Sequence, residues 1–103
     1  MIDVIAYCLE KKDAVKEHPF RTSTLVFKVH GKAFALMPDG GENGRITLKS
    51  DPDQAVMLRE AYPEITPGYH MNKQHWNTLD LNGKLPADLV RELIDQSYAL
   101  VER

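Results

Sequence analysis

Side chains able to do chemistry are densest in the run Tyr69-His70-Met71-Asn72-Lys73-Gln74-His75-Trp76-Asn77-Thr78-Leu79-Asp80-Leu81. It holds the only Trp and two of the four His. His70 and His75 could open a metal site, but no third ligand follows at a matching spacing, so no metal and no cofactor is assigned. His75 as a general base would need a neighbouring nucleophile and an orienting carboxylate. The run contains no Ser or Cys, and Asp80 is its one carboxylate. No catalytic residue is assigned, and the expectation is a protein that is not an enzyme. Two uses remain. His70, Asn72 and Asn77 can hydrogen-bond the backbone of an irregular turn, forming a structural turn network. Trp76, beside Lys73 and His75, can stack on a planar group while cations meet an anion.

Pro67-Gly68 and Asn82-Gly83 bracket this run with turn chemistry. Between them the pattern predicts a short extended piece, a turn near Asn72-Lys73-Gln74 and a strand from His75 to Leu81. Leu79 and Leu81 would face the core, and Trp76, Thr78 and Asp80 the other way. Upstream, Thr24 to His30 alternates with Leu25, Phe27 and Val29 on one side and Val26, Lys28 and His30 on the other. His30-Gly31 reads as a hairpin turn. Ala33 to Met37 reads as the returning strand, with Phe34 and Leu36 inward. The glycine-bearing loop from Pro38 to Gly44 has neither phosphate-loop nor dinucleotide spacing. Arg45 to Lys49 is a third strand with Ile46 and Leu48 inward. The outward set is then Lys28, His30, Arg45, Thr47, Lys49, Trp76 and Thr78, cations beside an aromatic on one sheet face.

The remaining segments must cover the other face. Residues 1 to about 12 read as a helix with Ile2, Ile5, Cys8 and Leu9 on its inner side, Cys8 being a small core residue. Lys11 to Glu17 reads as helix end and solvated loop, and Phe20 as a plug at the core's edge. Asp51-Pro52-Asp53-Gln54 is a helix start, with Asp51 as cap and Pro52 at the first position. Ala55, Leu58 and Tyr62 form that helix's stripe, Pro63 ends it, and Ile65 tucks under the end. Pro86 opens a last helix with Leu89, Leu93, Ile94, Ser97, Leu100 and Val101 inward. The expected architecture is a single α+β domain over 1-103, in the order α-β-β-β-α-β-β-α. Its antiparallel sheet would carry helices on one face and leave the other at least partly open.

Composition bounds the partners. The net charge of −2 and pI near 6.0 argue against a strongly basic nucleic-acid binder, although a local basic face can coexist with an acidic remainder. A lone cysteine excludes an internal disulfide framework. No apolar run has membrane-spanning length and no signal-peptide pattern is present, so a cytoplasmic protein without a membrane partner is expected.

The run Thr66-Pro67-Gly68-Tyr69-His70-Met71-Asn72-Lys73-Gln74-His75-Trp76-Asn77-Thr78 resembles the signature of the MmcQ/YjbR family of small bacterial proteins. Phe27-Lys28-Val29, Gly31-Lys32, Ala35-Leu36, Leu48-Lys49, Asp51-Pro52 and Asp95-Gln96-Ser97-Tyr98 extend the resemblance over nearly the whole chain. Two departures lie near the start: Lys11-Lys12-Asp13 stands where the family usually shows Leu-Pro-Gly, and Arg21 where Gly often follows Pro-Phe. The resemblance implies a CyaY-like, secretion-chaperone-like fold. It also implies DNA binding through a sheet surface likened to a double wing. It carries a nucleic-acid role onto Lys28, Lys49, Lys73, His75 and Trp76, to which the outward set adds Arg45. Transcriptional regulation would be the setting, and three or four cations on phosphates would give a salt slope of roughly −3 to −4. The alternative is a chaperone-like protein-interaction module using the same face, where Trp and Arg are common anchors. An enzyme or small-ligand site around His70, Asn72 and His75 ranks third.

Overall fold

The computed structural model describes residues 3–18, 23–68 and 72–103, so the expectations for Ile2, Phe20 and His70 lie outside the described residues. The elements are helices α1 (Val4–Leu9), α2 (Pro52–Ala61) and α3 (Ala87–Glu102). The strands are β1 (Ala14–Glu17), β2 (Leu25–Val29), β3 (Lys32–Met37), β4 (Arg45–Lys49), β5 (Ile65–Pro67) and β6 (Trp76–Asp80). They form one six-stranded sheet of order β1-β2-β3-β4-β6-β5, antiparallel throughout. Among the described residues no helix is long and apolar enough to cross a membrane.

The α+β reading holds, with one strand more before α2 than expected. Lys11 to Glu17 is not all loop: Ala14–Glu17 pairs with β2, Ala14 opposite Val29 and Glu17 opposite Val26. An edge strand needs to bury little, and three of these four residues are exposed, so no alternation marks it. The turn that launches it carries Asp13 at φ 61. Asp13 thus occupies the left-handed conformation where the family resemblance places Gly, a conformation that Asp tolerates better than most residues. Helix α1 is shorter than expected, opening at Asp3, whose carboxylate accepts from the Ala6 amide at 3.1 Å. Val4 and Cys8 are its buried residues, whereas Leu9 is 40% exposed, because six residues bury only a narrow stripe.

Strand β2 buries Leu25, Phe27 and Val29 as its alternation predicts. The hairpin to β3 turns at His30 (φ 52) and Gly31 (φ 80), two successive positive φ values as a type I′ turn requires. His30 therefore belongs to the turn and not to the sheet face. In β3 the expected inward pair Phe34 and Leu36 is only half right. The register shifts between Phe27 and Lys28, so Phe34 and Ala35 are both fully buried, and Leu36 turns to the opposite face beside Val26 and Thr47.

All three helices pack on the Phe27–Leu48 side. Val90, Leu93, Ile94, Ser97 and Val101 of α3 are buried there with Phe34 and Ile46. Tyr98 meets the Phe34 ring edge-on at 5.3 Å and donates to the Lys12 carbonyl at 2.6 Å. Ser97, which looks like a gap in an apolar stripe, donates to the Phe34 carbonyl (2.6 Å) and accepts from the Lys49 amide (2.9 Å). One hydroxyl thus links β3 and β4 beyond their Ala35–Leu48 pair. The Asp51 carboxylate caps α2 by accepting from the Gln54 amide at 3.2 Å, and Pro52 begins the helix. At the other end, Lys11 pairs with Asp95 across α1 and α3, and Tyr7 donates to the same carboxylate at 2.8 Å.

Candidate functional site on the helix-free sheet face

Alternation and register assign the second face. Opposed pairs running across it are Val26–Leu36, Leu36–Thr47, Thr47–Thr78 and Thr78–Thr66, and flanking this row are Arg45–Asp80 on one side and Lys49–Trp76 on the other. Val15, Glu17 and Lys28 complete it on β1 and β2. The face is only partly open. Val26, Thr47 and Thr78 are buried (5%, 3% and 9% exposed) although they lie on the face away from α1, α2 and α3, and the Thr47 and Thr78 hydroxyls are hydrogen-bonded at 2.8 Å. Exposure is greater along the margins, where Arg45, Thr66 and Asp80 are exposed and Lys28, Lys49 and Trp76 half-buried.

The six candidate binding residues divide. Lys28, Arg45, Lys49 and Trp76 share this face, Lys49 and Trp76 as direct cross-strand partners. Their side chains are therefore within contact range. Lys28 sits two strands from Lys49, roughly 10 Å across the sheet. It is also committed: its ammonium lies 2.9 Å from the Glu17 carboxylate on the neighbouring strand. Arg45 and Lys49 have no such ion pair among the described residues. Asp80 opposes Arg45, so the face alternates in sign where the sequence pattern showed mainly cations.

Lys73 and His75 belong elsewhere. Both lie in the turn before β6, which Asn72 organises: its side-chain oxygen accepts from the Gln74 amide (2.9 Å) and its carbonyl from the His75 and Trp76 amides. The Ser50 amide donates to the His75 carbonyl at 2.6 Å, extending the β4–β6 ladder by one residue and leaving His75 at the position alternate to Trp76. The turn is tied to the helix layer by Arg59 of α2, which donates to the Lys73 carbonyl (2.9 Å) and to the Asn77 side-chain oxygen (2.8 Å). Asn77, 1% exposed on the helix side, in turn donates to the Ala55 carbonyl at 3.2 Å. Asn72 and Asn77 are thus both structural, but Asn77 joins strand to helix and does not close the turn itself. Nothing in the spacing of Arg59 pointed to it; only the folded chain brings it eighteen positions along to Asn77.

The exposed end of the face holds a cavity of about 430 Å³. Arg45, Thr78 and Asp80 floor it with Thr66, and Pro38, Pro63 and Glu64 rise around it. It has no signature in the sequence because its lining comes from five separate segments. Among the described residues no group of three or more His, Cys, Asp or Glu is placed to hold a metal. Cys8 lies fully buried on the inner side of α1, and burial pushes its thiol up to about 12, which keeps it protonated at neutral pH.

Comparison with known proteins matches this geometry to a family. The model of the YjbR family matches residues 9–100. The chain is 41% identical over 83 residues to the uncharacterised protein YbdF of Escherichia coli O157:H7, covering 81% of this chain and 68% of that one. It is 30% identical over 96 residues to the uncharacterised protein YjbR of Escherichia coli K12, covering 93% and 81%. A crystal structure of the Deinococcus radiodurans protein DR2400, with a DUF419 domain, superposes with a TM-score of 0.89 at 42% identity, over 98% of this chain and 77% of that one. A crystal structure of a Pseudomonas syringae protein gives 0.82 at 35% identity, over 98% and 99%.

Proposed function

The chain belongs to the YjbR family, and we propose that it is a cytoplasmic DNA-binding module that works through the helix-free sheet face without catalysis. The observation that carries this reading is the Lys49–Trp76 cross-strand pair on the face that α1, α2 and α3 leave uncovered. A half-buried indole beside an ammonium can stack a base while the cation meets its phosphate, which favours a single strand over an intact duplex. Arg45, four residues along the same strand, lies roughly 13 Å from Lys49 and offers a second phosphate or base contact. With Lys28 held by Glu17 and Lys73 in the turn, about two cations act, and the salt slope falls to roughly −1.5.

A chaperone-like protein-interaction module is the second reading, and the mixed sign of the face favours it: Glu17 and Asp80 interleave with the cations. Because Trp76 is the only Trp, its emission reports this face alone. Titrating the protein with oligothymidine at two salt concentrations separates the readings. Salt-sensitive quenching, with a shallower salt slope in Lys49→Gln, supports DNA binding; an unchanged emission removes that reading and leaves the protein-partner one.

A further inference from the structure

We propose that the cavity beside Arg45 and Asp80 receives a guanine base of the bound strand, so that the face selects for G at one position. The inference rests on the reading that this face binds nucleic acid. Its own support is chemical. Arg45 and Asp80 are direct cross-strand partners and both line the cavity. A guanidinium can donate two parallel hydrogen bonds, which matches the O6 and N7 acceptors of guanine, and a carboxylate can accept from the adjacent N1–H and N2–H groups. Guanine alone among the bases joins a two-acceptor edge to a two-donor edge. Adenine places an acceptor, N1, where the carboxylate needs a donor, and the pyrimidines lack N7.

The free capacity is present. One Asp80 oxygen accepts from the Asn82 amide at 2.9 Å, leaving the second oxygen available, and Arg45 has no ion pair among the described residues. Glu64 is held by the Lys84 amide at 2.9 Å and adds a second carboxylate to the wall. Pro38, Pro63 and Pro67 add apolar rings to the lining. At about 430 Å³ the cavity lies within the range of small-molecule sites, and a base with its sugar would fit. Its place on the β4 and β6 strands that carry Lys49 and Trp76 lets one strand reach both points.

The test compares oligothymidine with the same oligonucleotide carrying one guanine at successive positions, read by Trp76 emission, and adds GMP and AMP titrations followed by NMR. One guanine at the correct offset should tighten binding roughly tenfold or more, and GMP but not AMP should shift the Arg45, Thr66 and Asp80 signals. Asp80→Asn, which keeps an oxygen for Asn82, should erase the guanine gain while oligothymidine still binds at least as tightly as to the wild type. Equal binding of both oligonucleotides, with no GMP shifts, overturns the guanine pocket and leaves the face reading standing. Binding of neither oligonucleotide and no GMP shifts would overturn both.

Discussion

The Ser97 hydroxyl of α3 accepts from the Lys49 amide at 2.9 Å, so the helix layer fixes the strand whose next surface carries the Lys49 side chain against Trp76. The same hydroxyl donates to Phe34, and Ser97 is fully buried. Ser97→Ala leaves a buried N–H and a buried carbonyl without that partner and should cost roughly 1–3 kcal/mol of stability, measured by urea unfolding. Ser97→Val should cost more, since it adds volume to a filled site.

Arg59 and Asn77 form the corresponding tie on α2. Asn77→Ala removes one of the two acceptors of the half-buried Arg59 guanidinium and the buried side-chain donor to the Ala55 carbonyl, and should destabilise by roughly 1–2 kcal/mol. Arg59→Lys should weaken the tie, because one terminal guanidinium nitrogen makes both bonds and the lysine ammonium, one bond shorter in reach, does not hold that position. Hydrogen exchange at His75 and Trp76 should quicken in both variants; unchanged exchange would show that the turn is held without Arg59.

Much of this architecture was legible from the chain. Alternation in Leu25–Val29 and Arg45–Lys49, the Asp51-Pro52 cap and the apolar recurrence of the last helix each report a local preference that the fold also satisfies. What escaped were features with no local signature. Ala14–Glu17 is a strand because β2 offers it partners. Leu36 changes face because β3 carries an extra residue, Phe34, where its register with β2 shifts. The site was legible in part: Lys28, Arg45, Lys49 and Trp76 share a face because the strand period puts them there. Lys73 and His75 sit in an irregular turn, to which that period does not apply. The ion pair of Lys28 with Glu17 depends on the unforeseen strand.

Stability should fall at alkaline pH. Burial raises Cys8 from 9.0 to about 12 in the folded chain, and the hydrogen bond to Asp95 raises Tyr7. Burial lowers Lys11, but Asp95 outweighs it and the net shift is upward. Groups raised on folding contribute fully below their unfolded values and lose that contribution as pH rises toward the folded ones. Unfolding free energy should therefore be flat at neutral pH and decline from about pH 9 toward about pH 12. Cys8→Ala should be less stable at neutral pH yet decline less steeply over that window. An identical slope would remove the thiol from the account.

Glu17 restrains Lys28. Glu17→Gln should free one cation, steepen the salt slope of single-strand binding by roughly 0.7 and tighten binding at low salt. Lys28→Gln in the wild-type background should change the slope little. If Glu17→Gln leaves both slope and affinity unchanged, Lys28 takes no part in the contact.

The most direct measurement is the Trp76 fluorescence titration with oligothymidine at low and moderate salt, repeated in Lys49→Gln. Quenching is expected with a log–log salt slope of roughly −1.5 in the wild type and about half that in the variant. Emission that does not respond to oligothymidine at any salt concentration would contradict the assignment of this face to nucleic acid.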